Sequence, residues 1–395
     1  MQRAGSADLA LMGGQIPSWL FERMTRLSLP LVEAILIEYG QQEFLRRLAD
    51  PFWFQSFGAV IGTDWNSSGV TTAVMGALKK ALNPQARELG LYVCGGKGKH
   101  SLQTPAELVT VGECTGLDGH YLAQCSKLSA KVDNTAVQDG FQLYLHSFVV
   151  SDKGDWSVVQ QGMQPGSSTA RRYHWHSGHI QSFVKEPHTA ICGDNQGDIL
   201  NLVDREATPT QQGILAITRE DPAKILMEIP RMTLPTHHEV RESDVDLKRL
   251  GSILWLAQEQ GSSTFEDLLL LKSLGPWTLQ SLTLVIEVIH GTPSRFTDPA
   301  RFAFAHGSKG GKPFLVPTHV YDETIATLKT SVEIAKLGQT DKHEAIKKLT
   351  KMAQAAEKNF QPSDSFDDLL RKENRDAWKH GGRTIHGYSK PPEKE

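Results

Sequence analysis

Two apolar runs with the period of a pleated strand, FQLYLHSFVV and DWSVVQQGM, flank the tetrapeptide SDKG between residues 141 and 163. Side chains of a strand alternate between faces, and a polar link between two such runs closes a β-hairpin. The fold must therefore contain a sheet and something to cover it. On either side, residues 17–50 carry apolar positions at helical spacing. GVTTAVMGALKKAL predicts a helix with Ser67 or Ser68 near its N-cap, and residues 120–139 predict another. The short apolar runs at 56–63 (SFGAVIGT) and 89–94 (LGLYVC), with TAICG and ILNLVD later, predict strands. To about residue 205 the pattern is α/β or α+β.

From about 209 the spacing turns helical, over Thr218–Met227, Asp244–Gln260, Phe265–His290, VYDETIATLKTSVEIAKLG and KHEAIKKLTKMAQAAEKNF. The expected organisation is an α+β or α/β domain over 1–205, an all-α domain over 206–361 and a polar tail over 362–395. A length of 395 residues suits two domains. A net charge of −3 announces no global basic field, so any phosphate contact has to be local. The four cysteines (Cys94, Cys114, Cys125, Cys192) match no zinc spacing and are expected to be free, buried thiols. No segment has the length of a membrane span or the pattern of a signal peptide, so the expected location is cytoplasmic.

Leu271-Lys272-Ser273-Leu274-Gly275-Pro276-Trp277-Thr278 lies between the apolar runs FEDLLLL and LQSLTLVIEVI. A tight turn at Gly275 and the start of the next helix would present backbone N–H groups to a phosphate oxygen without reading sequence. The segment 265–291 resembles the helix-hairpin-helix of DNA glycosylases, whose pattern is close to LPGxGPWTA. Leu271, Leu274, Gly275, Pro276, Trp277 and Thr278 match it. Lys272, Ser273 and Leu279 stand where that family has Pro, Gly and Ala. The resemblance implies DNA contact by Lys272, Ser273, Gly275, Trp277 and Thr278, and a sugar-directed role for Asp298 in SRFTDPARF. The lysine of the bifunctional glycosylases is replaced by Trp277, so no Schiff-base chemistry follows.

Over most of its length the chain resembles the family catalogued as domain of unknown function 763. MQRAGSADL, DWNSSGVTT, GGKGKHS, KVDNTAVQDGFQLYLHSF, VVQQGM, ARRYHW, EPH, LPTHHEV and DPARFAFAHGSKGGKPF carry the likeness. It implies no mechanism.

The remaining chemistry is read from the residues. Asp64, Asp133 and Asp139, with Asp298, are candidate catalytic acids. Asp139, His146, His174 and His188 are the expected ligands of a divalent ion, Mg²⁺ or Mn²⁺, with Asp133, Glu186 or His238 as substitutes; such an ion would activate water on a phosphodiester. Asp133 and Asp139 ahead of a hairpin resemble the acids of nuclease cores, but Gln160-Gln161-Gly162 occupies the arm where such cores carry acid-x-Lys. GGKGKHS offers Lys97 and Lys99 on a glycine-rich loop, without the full P-loop pattern. Arg171 and Arg172 beside Tyr173 and Trp175 form a basic-aromatic cluster suited to phosphates and bases.

The leading expectation is a DNA-processing protein, a metal-dependent nuclease of repair or replication. Its rivals are a monofunctional glycosylase using Asp298 and a non-enzymatic DNA- or RNA-binding adaptor. DNA is the expected partner and a membrane is not; RNA and a homodimer stay open.

Overall fold

A computed structural model describes residues 9–10, 16, 18–63, 68–166, 169–228, 247–292, 294–300, 383–384 and 387–388. The chain opens with a short strand β1 (Leu9–Ala10) and the helices α1 (Ser18–Leu48), α2 (Pro51–Ile61), α3 (Gly69–Leu82) and α4 (Ala86–Leu89). β2 (Leu91–Lys97), α5 (Thr104–Thr115) and α6 (Gly119–Lys131) follow, and α6 runs into a π-turn at Val132–Ala136 and the two-residue β3 (Val137–Gln138). Three longer strands come next: β4 (Gln142–Ser151), β5 (Trp156–Met163) and β6 (Thr169–His176). β7 (Ala190–Cys192) and β8 (Leu200–Asn201) precede α7 (Thr208–Ile217), α8 (Pro222–Glu228), α9 (Leu247–Glu259), α10 (Phe265–Leu270) and α11 (Pro276–His290).

The main sheet is antiparallel, in the order β1-β6-β5-β4-β2, with β7 also paired to β6. The hairpin read from residues 141–163 is its centre. One face, through Leu91, Val93, Val149 and Val159, packs on α1, α2 and α3. The other face, through Cys94, Phe148, Val158, Tyr173 and Trp175, packs on α5, α6, α7 and α9–α11. This is a mixed α+β protein with an antiparallel sheet. Residues on both sides of the expected boundary at 205/206 share that second hydrophobic cluster, which runs from Cys94 to Ala300. The two helical segments expected after residue 319, and the polar tail apart from two short strands, lie outside the described residues.

The strand expected at 56–63 is helix. Asp50 caps α2, its carboxylate accepting from the amides of Phe52 (2.8 Å) and Trp53 (2.9 Å), and Pro51 sits in the first turn. Phe54, Phe57, Gly58 and Ile61 are the buried stripe, a helical spacing that an eight-residue apolar run conceals. Gly62, with φ 103°, ends the helix. The helix expected from Thr218 starts instead at Pro222, after a turn that closes α7. All four cysteines are free, as expected, but Cys114 is exposed rather than buried. Among the described residues no helix is long and apolar enough to cross a membrane.

α5 and α6 cross at two glycines. A Cβ on Gly112 would stand 2.6 Å from the amide nitrogen and 2.7 Å from the Cα of Gly119. Replacing Gly112 with Val should force these helices apart and cost about 1–3 kcal/mol, as overpacking generally does. Urea denaturation reads this directly; an unchanged midpoint would contradict the close crossing.

Candidate functional site

The segment 265–291 is a short helix, a turn and a longer helix. A capping box between Thr264 and Asp267 starts α10. The turn amide of Leu274 donates to the Leu271 carbonyl (3.2 Å), and Gly275 is the N-cap of α11 in an extended conformation. Gly275 has no side chain to cap the helix, so the first-turn amides of Trp277 and Thr278 have no acceptor within the helix. Leu274 and Thr278 turn inward, at 2% and 4% exposure, while Lys272 and Ser273 are exposed and Trp277 is 66% exposed. Ser273 does not adopt positive φ, so the position needs no glycine. The hairpin is anchored from below: Lys131 Nζ donates to the carbonyls of Leu271 (3.2 Å) and Leu274 (2.6 Å), and Gln138 Nε2 to that of Pro276 (2.9 Å). Thr278, expected at the DNA, belongs to the core.

Asp133 follows Lys131 by two positions and points into the sheet. Its carboxylate is fully buried and accepts from three elements: Gln160 Nε2 on β5 (2.5 Å), Trp175 Nε1 on β6 (3.0 Å) and His188 Nε2 (2.5 Å). Burial pushes this carboxyl upward, opposed by His188 and Trp175. Because the Gln160 amide nitrogen faces Asp133, its oxygen faces His146 Nδ1 (2.8 Å), which must donate. His146 Nε2 is then the acceptor of the Ser126 hydroxyl (2.8 Å). Burial holds His146 down, at about 4, so it stays neutral. The chain Ser126–His146–Gln160–Asp133–His188 is thus continuous, and His188 is its least buried member.

His188 keeps 7% side-chain exposure, and its ring lies against Trp175, 4.4 Å between centroids. Among the described residues its other nitrogen, Nδ1, has no hydrogen-bond partner, and it is not fully enclosed. Pro187 and Glu186 lead into it. Glu186 has φ 46°, the one non-glycine residue with positive φ among the described residues, and its amide donates to Val203 (2.7 Å).

Arg171 and Arg172, expected to meet DNA, are interior, as are Tyr173 and Trp175. Arg171 donates to Asp139 (3.0 Å) and in a fork to both oxygens of Asp298 (3.0 and 2.6 Å). Arg172 lies on the opposite face, over the Phe54 ring, donating to His174 Nε2 (2.9 Å) and Gln55 (3.2 Å). Asp298 also accepts from the amides of Gln196 and Ala300. Held this way, it is a buried structural carboxylate and is not presented to a sugar. Asp139 is likewise consumed, by Arg171, Tyr173 (2.7 Å) and the Phe141 amide; burial raises it to about 6, with Arg171 opposing.

The four expected metal ligands do not converge. His146 pairs with Gln160 and Val159 with His174, so alternation puts His146 and His174 on opposite faces of the sheet. Both His146 nitrogens and the Asp139 oxygens already have partners. Among the described residues no three His, Cys, Asp or Glu side chains are grouped to hold an ion. Of the substitutes, Asp133 reaches His188 alone, Glu186 is exposed and paired with Arg205 (2.9 Å), and His238 lies outside the described residues, as does Asp64.

In the glycine-rich loop, Lys97 and Lys99 are exposed, Lys97 standing 5.8 Å over the Tyr144 ring. Gly95 is there for packing: at φ 84° a Cβ would meet the His146 carbonyl at 2.2 Å. Ser126 and Lys131 were not singled out in the sequence, and Gln160 and Trp175 were noted there without this role. Gln160 left one signal, a polar side chain on the strand face shared with Val158 and Trp156.

An antiparallel sheet between helical layers makes this a mixed α+β protein, and a buried polar chain on one face of the sheet ends at His188. The chain belongs to the family described as protein of unknown function (DUF763), which it matches over residues 5–316. No curated protein and no solved structure matches the chain.

His146 sets a pH test. Its folded value, about 4, lies below the ordinary 6.5, so the unfolded chain binds more protons between them. The stabilisation is complete above about 6.5 and is lost as pH falls towards 4, a difference of about 3 kcal/mol. His146→Gln should flatten the fall in unfolding free energy over that interval. An unaltered slope would contradict the neutral, buried imidazole.

Proposed function

We propose that this chain binds nucleic acid, DNA in the first place, by its backbone at the hairpin 271–278, and that it cleaves phosphodiester bonds in repair or replication. The observation that carries the binding is the open N-terminus of α11, where Lys272, Ser273 and Trp277 are exposed around uncapped amides. Such donors hold a phosphate oxygen, Lys272 adds charge, and the Trp277 ring offers an apolar face. The resemblance to the hairpin of DNA glycosylases supports the same use. Lys131 anchors the hairpin two residues from Asp133, which supports placing chemistry near the gripped strand. Mg²⁺ or Mn²⁺ remains the expected cofactor of the cleavage. The lack of a three-donor group among the described residues favours a second reading, an adaptor that binds without turnover.

Gly275 is the residue to change. Its φ of −124° suits any side chain, and an added Cβ meets nothing nearer than the Arg249 guanidinium at 3.8 Å. Gly275→Val should therefore fold normally and weaken binding to unrelated duplexes alike. Lys272→Gln should lower the slope of log K against log salt by about 1. Fluorescence anisotropy checks both; undiminished affinity in a folded Gly275→Val protein would contradict hairpin binding. Labelled single-stranded, double-stranded and flap DNA, incubated with Mg²⁺, Mn²⁺ or chelator, tests cleavage: cut strands are expected with an ion, and intact strands in every arm favour the adaptor.

A further inference from the structure

We propose that His188 is the proton-accepting residue of a phosphodiester-cleaving site, with Asp133 as the positioning carboxylate behind it; the inference rests on the cleavage reading above. The geometry is that of an oriented base. Gln160 and Trp175 donate to one oxygen of Asp133, two bonds that favour its anion against the burial that raises it, and the other oxygen meets His188 Nε2. With Nε2 donating to that oxygen, the ring's lone pair is on Nδ1, the nitrogen without a hydrogen-bond partner among the described residues. A proton gained there creates an imidazolium whose charge lies against a buried carboxylate, the role such a partner plays in other acid–base pairs.

The surroundings fix the ring without closing it. Trp175 packs against it edge-on, and Pro187 stiffens its approach. Glu186 holds a left-handed backbone that a non-glycine residue adopts at a cost, and such outliers gather at functional sites. His146 and His174 differ on this point: both are buried, with both ring nitrogens engaged. Asp133 is also joined through Lys131 to the hairpin proposed to hold the strand.

The step balances with water alone. Water gives a proton to His188 Nδ1 as its oxygen bonds to phosphorus. The bond from phosphorus to the leaving oxygen breaks, and that oxygen takes the proton back from the imidazolium. The products are a phosphate monoester and a free hydroxyl.

Two measurements on the full chain test this. Native protein is treated with diethyl pyrocarbonate and mapped by mass spectrometry, and His188→Asn is assayed for binding and cleavage. His188 should be carbethoxylated along with the exposed His100 and His179, ahead of His146 and His174. Asp133→Asn should slow its modification. His188→Asn should bind DNA normally and cleave about 10²–10⁴-fold more slowly, the usual weight of one acid–base group. An unmodified His188 in native protein, beside modified His100 and His179, overturns the proposal and needs no variant to fold. A His188→Asn protein that cleaves like the wild type overturns it while the cleavage reading stands. Wild-type protein that binds but cuts nothing removes the cleavage reading, and this inference with it.

Discussion

The carboxylate of Asp133 is the interaction on which the second face of the sheet depends. An ionised group without partners is costly inside a protein, so burial is tolerated only where donors converge. Here the donors come from β5, from β6 and from the stretch after Pro187, three places that no local preference brings together. Satisfying one buried carboxyl group thus fixes the register of two strands and the path of a loop. The same requirement passes along the chain of hydrogen bonds to His146 and Ser126 and so orients α6 on the sheet. Its buried members are hydrogen-bonded, which gives the network rigidity, and His188 is the least buried of them.

A second buried charge ties in the segment beyond α11. Arg171 joins Asp139, in the turn before β4, to Asp298, far along the chain. Because Arg171 and Arg172 are neighbours on a strand, they enter opposite layers: one meets two carboxylates, the other a phenyl ring, a histidine and an amide. A segment that reads as a surface for phosphates is therefore a buried strand of the sheet. Lys97 and Lys99 of the glycine-rich loop and Lys272 of the hairpin are exposed instead.

Much of the fold was legible. The hairpin 141–163, the strand at LGLYVC, the opening helices over 17–50, which break at Gly40, and the two helices joined by a turn over 265–291 all follow from period and turn chemistry. SFGAVIGT was not, since an eight-residue apolar run fits a buried strand and a helix equally; the decisive information was Asp50 and Gly62, outside it. The site was legible in kind but not in arrangement. Asp133 and His188 were recognisable as chemical residues, yet whether a histidine faces its neighbour depends on strand parity. His174, on the opposite face of the sheet from His146, shows how one residue of register divides a cluster that looks compact in sequence. Asp298 and Arg171 each resembled a surface or catalytic group because nothing local reveals that they satisfy one another across the fold.

The central claim is that this fold meets nucleic acid at the hairpin and not at the basic strand. Hydrogen–deuterium exchange, followed by mass spectrometry with and without a duplex of arbitrary sequence, tests it most directly. The account predicts new protection in peptides covering 271–278 and none in those covering 169–176, whose amides are already held in the sheet. Unchanged exchange at 271–278 when the duplex is bound, with protection elsewhere, would contradict it.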